Sequence, residues 1–266
     1  MPTKKNYVVC LFVLCFAFAI PTFANYLGTT QLGGDFVTTN IAEGPYGSVM
    51  VMTPGTGQQD NKSIASGFAY VKVDNLKFYQ FPLSVSYTPI TGFDLSMALP
   101  IIDMTAEKPG FGDLFIGGKY KLNNDFFKCA ASLGMVFPTG ADRITGVTNN
   151  LDILVDLPVE KELDYFILNM NFGIGFIDID ADNSQEIIKV GGAISRSINK
   201  KAGASLELMY QDGKNFSSLL AGVGVKYTVN STNSLTGLIA TDLHSTGADI
   251  LFNLGYSKSF NLGAWR

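Results

Sequence analysis

The sequence predicts an all-β protein, a transmembrane antiparallel β-barrel of twelve strands, and three observations predict it. The first residues have the layout of an export signal; extended segments with an apolar-polar alternation recur every 15–20 residues from about residue 78; and the connections between them alternate between short and long. Successive side chains of a strand point to opposite faces. An alternating segment therefore has one greasy side, and the fold class turns on which way that side points.

Lys4 and Lys5, the apolar run "YVVCLFVLCFAFAI" at 7–20 and "PTFA" before Asn25 form a secretory signal peptide over 1–24. Its core of about 14 residues is short of the roughly 20 that a membrane-spanning helix needs. Cleavage after Ala24 removes Cys10 and Cys15 and leaves Cys129 alone, so no internal disulfide braces the fold. It also leaves 17 basic against 23 acidic residues, which argues against nucleic acid as a partner. Residues 25–62 read as a polar N-terminal segment, a periplasmic extension or a plug, and 63–266 as the barrel.

Taken in order, the first strand is either 66–74, "SGFAYVKVD", which is preferred, or 46–53, "YGSVMVMT"; an even strand number requires one of them. Strand 78–88 sets Phe81, Leu83, Val85 and Tyr87 against Gln80, Ser84, Ser86 and Thr88. Strand 92–101 sets Phe93, Leu95, Met97, Leu99 and Ile101 against Asp94, Ser96, Ala98 and Pro100. In 112–122 Leu114, Ile116, Gly118, Tyr120 and Leu122 oppose Asp113, Phe115, Gly117, Lys119 and Lys121. Strand 126–137 puts Cys129, Ala131, Leu133 and Met135 on the greasy side, against Lys128, Ala130, Ser132 and Gly134. Strand 150–159 does the same with Leu151, Ile153, Val155 and Leu157, against Asn150, Asp152 and Asp156.

The clearest case is 165–178. Phe166, Leu168, Met170, Phe172, Ile174 and Phe176 share one face, and Asn169, Asn171, Gly173 and Gly175 share the other. Strands at 186–198, 203–211, 217–228, 234–243 and 248–260 complete the set, with faces such as Ala204, Leu206, Leu208 and Tyr210 or Ile250, Phe252, Leu254 and Tyr256. Most have the roughly 9–11 residues with which a tilted strand crosses a bilayer.

The polar faces decide the direction. Those of a soluble sandwich are solvated and rich in Lys, Glu, Arg and Thr, whereas these are rich in Gly, Ser, Ala and Asn with one or two charges each. Such faces suit the crowded, wet inside of a closed barrel whose apolar side meets lipid. The turns at 89–91, 123–125, 160–164, 199–202 and 229–233 are short, while 102–111 and 138–149 are the longest connections, as a bacterial outer-membrane barrel with periplasmic termini requires. Cys129 is expected to face lipid.

"PGFGDLFIGGKYKL", preceded by "SVSYTPITGFDLSMALP" and followed by "GMVFPTGADR", resembles the outer-membrane transporter family named after the meta-cleavage pathway of phenol degradation. The match covers roughly 78–260. It places the Gly-x-Gly-Asp element at Gly110, Gly112 and Asp113, the strand end at Lys119 and Tyr120, and the Pro-Thr-Gly loop at Pro138, Thr139 and Gly140. The chain departs from the pattern at its end, "NLGAWR", where Phe260 or Trp265 must serve as the aromatic signal for the barrel assembly machinery. The resemblance implies a channel or transporter for small molecules, aromatic ones included.

From the alternation, the residues expected to line the lumen are Asp113, Lys119, Lys121, Lys128, Asp152, Asp156, Asn169, Asn171, Lys189, Glu207, Lys226, Asp242 and Asp249. No catalytic, cofactor or metal site is expected. "HSTG" at 244–247 puts His244 beside Ser245, but neighbours on a strand point opposite ways and no acid partner is evident. The acidic residues read as lumen wall or as braces to Lys119, Lys121 and Lys128. "DIDADNS" at 178–184 lacks the Gly and the bidentate Glu of a calcium loop. The function expected is passage of small solutes through a polar lumen by a monomer, with membrane lipid, the solute and the assembly machinery as partners. The alternative is a structural or adhesive barrel without a pore.

Overall fold

A computed structural model describes residues 52, 54–55, 59–73, 76–104, 109–122, 126–140, 150–179, 185–213, 216–244 and 250–261. They form β1 (Asn61–Val73), β2 (Leu76–Ile90), β3 (Phe93–Met104), β4 (Gly110–Phe111), β5 (Leu114–Leu122), β6 (Lys128–Phe137), β7 (Leu151–Glu162), β8 (Ile167–Ile179), β9 (Gln185–Ser197), β10 (Ala202–Gly213), β11 (Phe216–Asn230), β12 (Asn233–Asp242) and β13 (Ile250–Asn261). The two-residue β4 pairs only with Ile101 and Ile102 at the end of β3, so it extends a stave without adding one. The other twelve pair antiparallel in sequence order, and β1 returns to β13 in unbroken register from Asn61↔Asn261 to Lys72↔Ile250. The sheet is a closed barrel of twelve strands.

The first strand is the preferred one of the two expected, begun earlier at Asn61; of the alternative 46–53 only Met52 is described, and it lies outside the sheet. The β2–β3 hairpin turns at Thr91 and Gly92, where Gly92 takes φ of 90° and its carbonyl accepts Lys121 N–H at 2.7 Å. A positive φ is open to glycine because it has no Cβ to clash.

Along β10, Gly203, Ser205, Glu207, Met209 and Gln211 are buried while Leu206 and Leu208 between them are exposed, and the other staves repeat this. Outward aliphatic residues such as Leu206 (64% exposed) and Ile239 (61%) are bare because the sheet is one layer thick and none of the described residues packs over them. On a barrel this exposed apolar band is what lipid covers. Cys129 departs from the expectation. It holds an outward register opposite Val159, yet it is covered (7% exposed) and its thiol points to the Leu122 carbonyl at 3.8 Å, next to the turn that follows β5.

The seam and the band each give a test. A Cβ on Gly67 would come within 2.7 Å of the Leu254 carbonyl oxygen, a backbone atom of the partner strand. Gly67→Val should therefore open the β1–β13 seam, read as loss of the folded band in heat-modifiable gel migration. Leu206→Arg in mid-strand should lower stability in vesicles by about 2–4 kcal/mol, and Ile198→Arg in the turn after β9 by about 0–1 kcal/mol, measured by denaturant unfolding. Equal losses at the two positions would contradict the inside-outside assignment.

Candidate functional site: the inner wall of the barrel

Alternation carries the polar residues of β7 to β11 to the inside, where register decides which of them meet. Asp156 on β7 lies opposite Gly173 on β8, which lies opposite Lys189 on β9. Gly173 is the gap that lets the outer two meet: a Cβ there would run into Asp156 Oδ1 and stand 3.1 Å from Lys189 Cε. Lys189 Nζ approaches Asp156 Oδ1 at 3.5 Å, and Asn171 Nδ2 donates to the same oxygen at 3.0 Å. Both charged side chains are less than a tenth exposed. A desolvated pair of this kind adds little net stability, because the desolvation cost offsets the attraction.

A second polar group lies next to it. Ser205 and Ser195 face each other across β10 and β9, and Ser205 Oγ donates to Glu207 Oε1. Glu207 is opposite Ala193, which is opposite Asn169. Asn169 is fully buried, and among the described residues neither its Nδ2 nor its Oδ1 has a partner; Asn171 Oδ1 and Ser195 Oγ are in the same position. Buried polar atoms are normally satisfied. Here the wall presents hydrogen-bonding groups to the interior of the barrel.

The remaining expected positions divide. Asp113, Asp152 and Lys226 are buried on the inner side; Lys119 is half-buried and Lys121 exposed. Lys128 sits at the rim that holds both ends of the barrel, paired to Glu160 at 2.9 Å and to Glu162. Its acidic partners are on β7, one strand over. Asp242 ends β12 and caps backbone: its Oδ1 accepts Leu219 N–H and His244 N–H, both at 2.9 Å. Asp249, Ser245 and most of the 178–184 stretch lie outside the described residues. His244 is exposed, with its ring edge-on to Tyr210.

The inner wall also carries an apolar surface, of which the alternation placed Ala98 and Phe115 on the inward face but not Leu154 or Ile187. Ala98, Phe115, Leu154 and Ile187 pack as one buried cluster, with Val136 against it. The Phe115 ring lies over Gly117 and Gly134, where Cβ atoms would come within 2.7 and 2.6 Å of it. Leu154 sits between Asp152 and Asp156 on β7, and Ile187 two residues before Lys189 on β9, so the cluster borders the Asp156–Lys189 pair directly. The signal was present: Phe115 shares the parity of Asp113 and Lys119, and Leu154 that of the two aspartates.

The long-loop mouth is fixed by residues from both motifs. Gly112 N–H donates to Pro100 O at 2.8 Å, and a Cβ on Gly112 would stand 2.9 Å from Pro100 Cγ and 2.8 Å from Ile102 Cδ1. Asp113 Oδ1 accepts Gly140 N–H at 2.9 Å, and Thr139 Oγ1 accepts Leu114 N–H at 3.0 Å. Outside the barrel, a depression of about 810 Å³ runs over β8–β13, lined by Gly192 and Ala221 and by Leu206, Val223 and Ile239. It is apolar and faces lipid.

Comparison with curated proteins by sequence gave no match. Among solved structures, the chain is similar to the COG4313 outer membrane channel from Pseudomonas putida F1, at TM-score 0.65 and 13% identity over 78% of this chain and 98% of that one. It is also similar to the KdgM porin (TM-score 0.56, 14% identity, 74% and 99% covered) and the NanC porin (0.56, 9%, 74% and 98%). At these identities the likeness is one of fold, and the fold is that of a bacterial outer-membrane barrel. The family model described as "Putative MetA-pathway of phenol degradation" matches residues 2–260, nearly the whole chain, and the protein belongs to that family.

Proposed function

We propose that the protein is a channel of the Gram-negative outer membrane through which small solutes, aromatic ones among them, pass passively. The observation that carries this reading is the placement of Asp113, Asp152, Asp156, Lys189, Glu207 and Lys226, each no more than 7% exposed, inside a ring whose outer face is aliphatic. Ionisable groups at membrane depth are costly and mark solute or ion pathways, and charged side chains lining a pore select by field and size. Twelve staves give a lumen between the filled eight-stranded barrels and the open sixteen-stranded porins.

The solute class follows from the neighbourhood of two surfaces. The Phe115–Leu154–Ile187 cluster offers a face for an apolar ring, and Asp156, Lys189 and Asn171 beside it offer polar contacts for a substituent. A small aromatic molecule with a hydroxyl or carboxyl group fits that pairing, in keeping with the phenol-degradation description of the family. The channel works as a monomer, is lined by the inward residues above, and is inserted by the barrel assembly machinery.

Purified protein in planar bilayers should show discrete conductance. Replacing Lys189 and Lys226 by Gln should move the reversal potential in a salt gradient toward cation preference, because two inward positive charges are lost from a wall richer in carboxylates. Phe115→Ala should change uptake of labelled aromatic acids into liposomes more than conductance of small ions. A barrel silent in bilayers and in uptake would favour the pore-free structural role instead.

A further inference from the structure

Four polar side-chain atoms on neighbouring inward positions of β8 and β9 are buried and, among the described residues, have no partner: Asn169 Nδ2 and Oδ1, Asn171 Oδ1 and Ser195 Oγ. Asn169 is 0% exposed, Ser195 1% and Asn171 4%. An unbonded buried polar atom carries its full desolvation penalty, so a wall that gathers such atoms is costly unless something else bonds them. Their orientation is set by the wall itself. Asn171 Nδ2 is committed to Asp156 Oδ1 at 3.0 Å, which leaves the amide oxygen as the free end. Opposite Ser195, the Ser205 hydroxyl is committed to Glu207.

Register puts small residues beside this group. Asn169 is opposite Ala193 and Asn171 opposite Gly191, and on the far side of these two stand Glu207 and Met209. Between the amides of β8 and Met209 of β10, β9 therefore contributes nothing larger than a methyl group. Met209 is buried on the inner side, and its sulfur accepts Gln211 Nε2–H at 3.3 Å. A planar ring laid over Gly191 and Ala193 meets this thioether, and sulfur against an aromatic ring is a favourable contact.

The charge around the group is negative. Glu160 is directly opposite Asn169 on β7, and Glu207 is two strands away on the other side, roughly 10 Å at the spacing of adjacent strands. The nearest lysines by register are held by acids, Lys128 by Glu160 and Glu162 and Lys189 by Asp156. A carboxylate only accepts hydrogen bonds, whereas a hydroxyl both donates and accepts. Seated here, a carboxylate leaves Asn169 Oδ1 and Asn171 Oδ1 unbonded and lies between two like charges. A hydroxyl bonds an amide N–H and an amide oxygen at once and brings no charge.

We propose that Asn169, Asn171 and Ser195, with Gly191, Ala193 and Met209, form a recognition site for a neutral hydroxylated aromatic solute and discriminate against the corresponding carboxylate. The proposal rests on the reading of the barrel as a channel for small solutes. It adds a second place on the wall, next to the Asp156–Lys189 pair, at which one solute class is chosen over another.

The full exported chain, folded in detergent, is titrated at neutral pH with 4-fluorophenol, 4-fluorobenzoate and fluorobenzene, and binding is read from fluorine NMR line widths. 4-Fluorophenol should bind at least about tenfold more tightly than either of the others, because a site built to hydrogen-bond a hydroxyl rejects analogues that leave its polar groups unbonded. In Asn169→Leu its affinity should fall to that of fluorobenzene, with heat-modifiable migration showing that the variant folds. Ser195→Ala, which removes one hydroxyl and little volume, should weaken 4-fluorophenol several-fold and serves where Asn169→Leu does not fold. Equal binding of the three probes by the wild-type barrel, or a hydroxyl preference unchanged in whichever variant folds, would overturn the proposal. Conductance in planar bilayers is read separately. A barrel that shows the preference but stays silent loses the transport reading and keeps the site, and a conducting barrel without the preference keeps transport and loses the site.

Discussion

The twelve register pairs between β1 and β13 are the constraint on which the rest of this structure depends. In hydrocarbon an unpaired backbone N–H or C=O costs several kcal/mol, so a sheet crosses a membrane only if its first and last strands meet. Closure then assigns every residue to the inside or the outside by parity alone. The aliphatic band of Leu206, Val223 and Ile239, and the buried charges of Glu207, Lys189 and Asp156, are two outcomes of that one assignment. Gly67 shows how tightly the seam is drawn, since its missing Cβ is the room taken by the Leu254 carbonyl.

Inside the ring, glycine works as absent volume. Gly173 lets Asp156 and Lys189 meet over β8, Gly117 and Gly134 make the bed on which the Phe115 ring lies, and Gly222 accepts the Leu238 side chain. None of these three uses needs a left-handed backbone, and each converts a flat strand into a shaped wall. These four glycines therefore decide which large side chains lie across the inner wall.

The strands were legible in the sequence wherever one face was uniformly greasy, as in β8, because the period of two survives any error in the ends. The first strand was ambiguous for a physical reason. β1 puts Ser66 and Lys72 outward and Ala65, Ala69 and Val71 inward, so its two faces differ little in polarity. The inward leucines were hidden in the same way: in "SSLLAGVG" Leu219 and Leu220 are adjacent, and parity cannot say which belongs inside until a neighbouring strand fixes it. Asp156 and Lys189 were each placed on the polar face by alternation, but their meeting was not legible, since it depends on the register of β7, β8 and β9 together. Cys129 has an outward register and a covered thiol that turns toward the Leu122 carbonyl at the end of β5, a local contact that alternation does not reveal.

The two motif fragments that suggested a family from sequence turn out to be one corner in space. Gly112 must be bare for β5 to leave β3 against Pro100 and Ile102, and that departure sets Asp113 where its carboxylate can hold Gly140 N–H while Thr139 Oγ1 holds Leu114 N–H. The longest connection of the barrel thus starts from a point bolted to the head of β5. Phe115, two residues on from Asp113 and on the same face, inherits its position from that corner. A glycine, a carboxylate and a hydroxyl at this corner therefore fix where the aromatic ring of the inner wall lies, which ties the start of the longest connection to the shape of the wall below it.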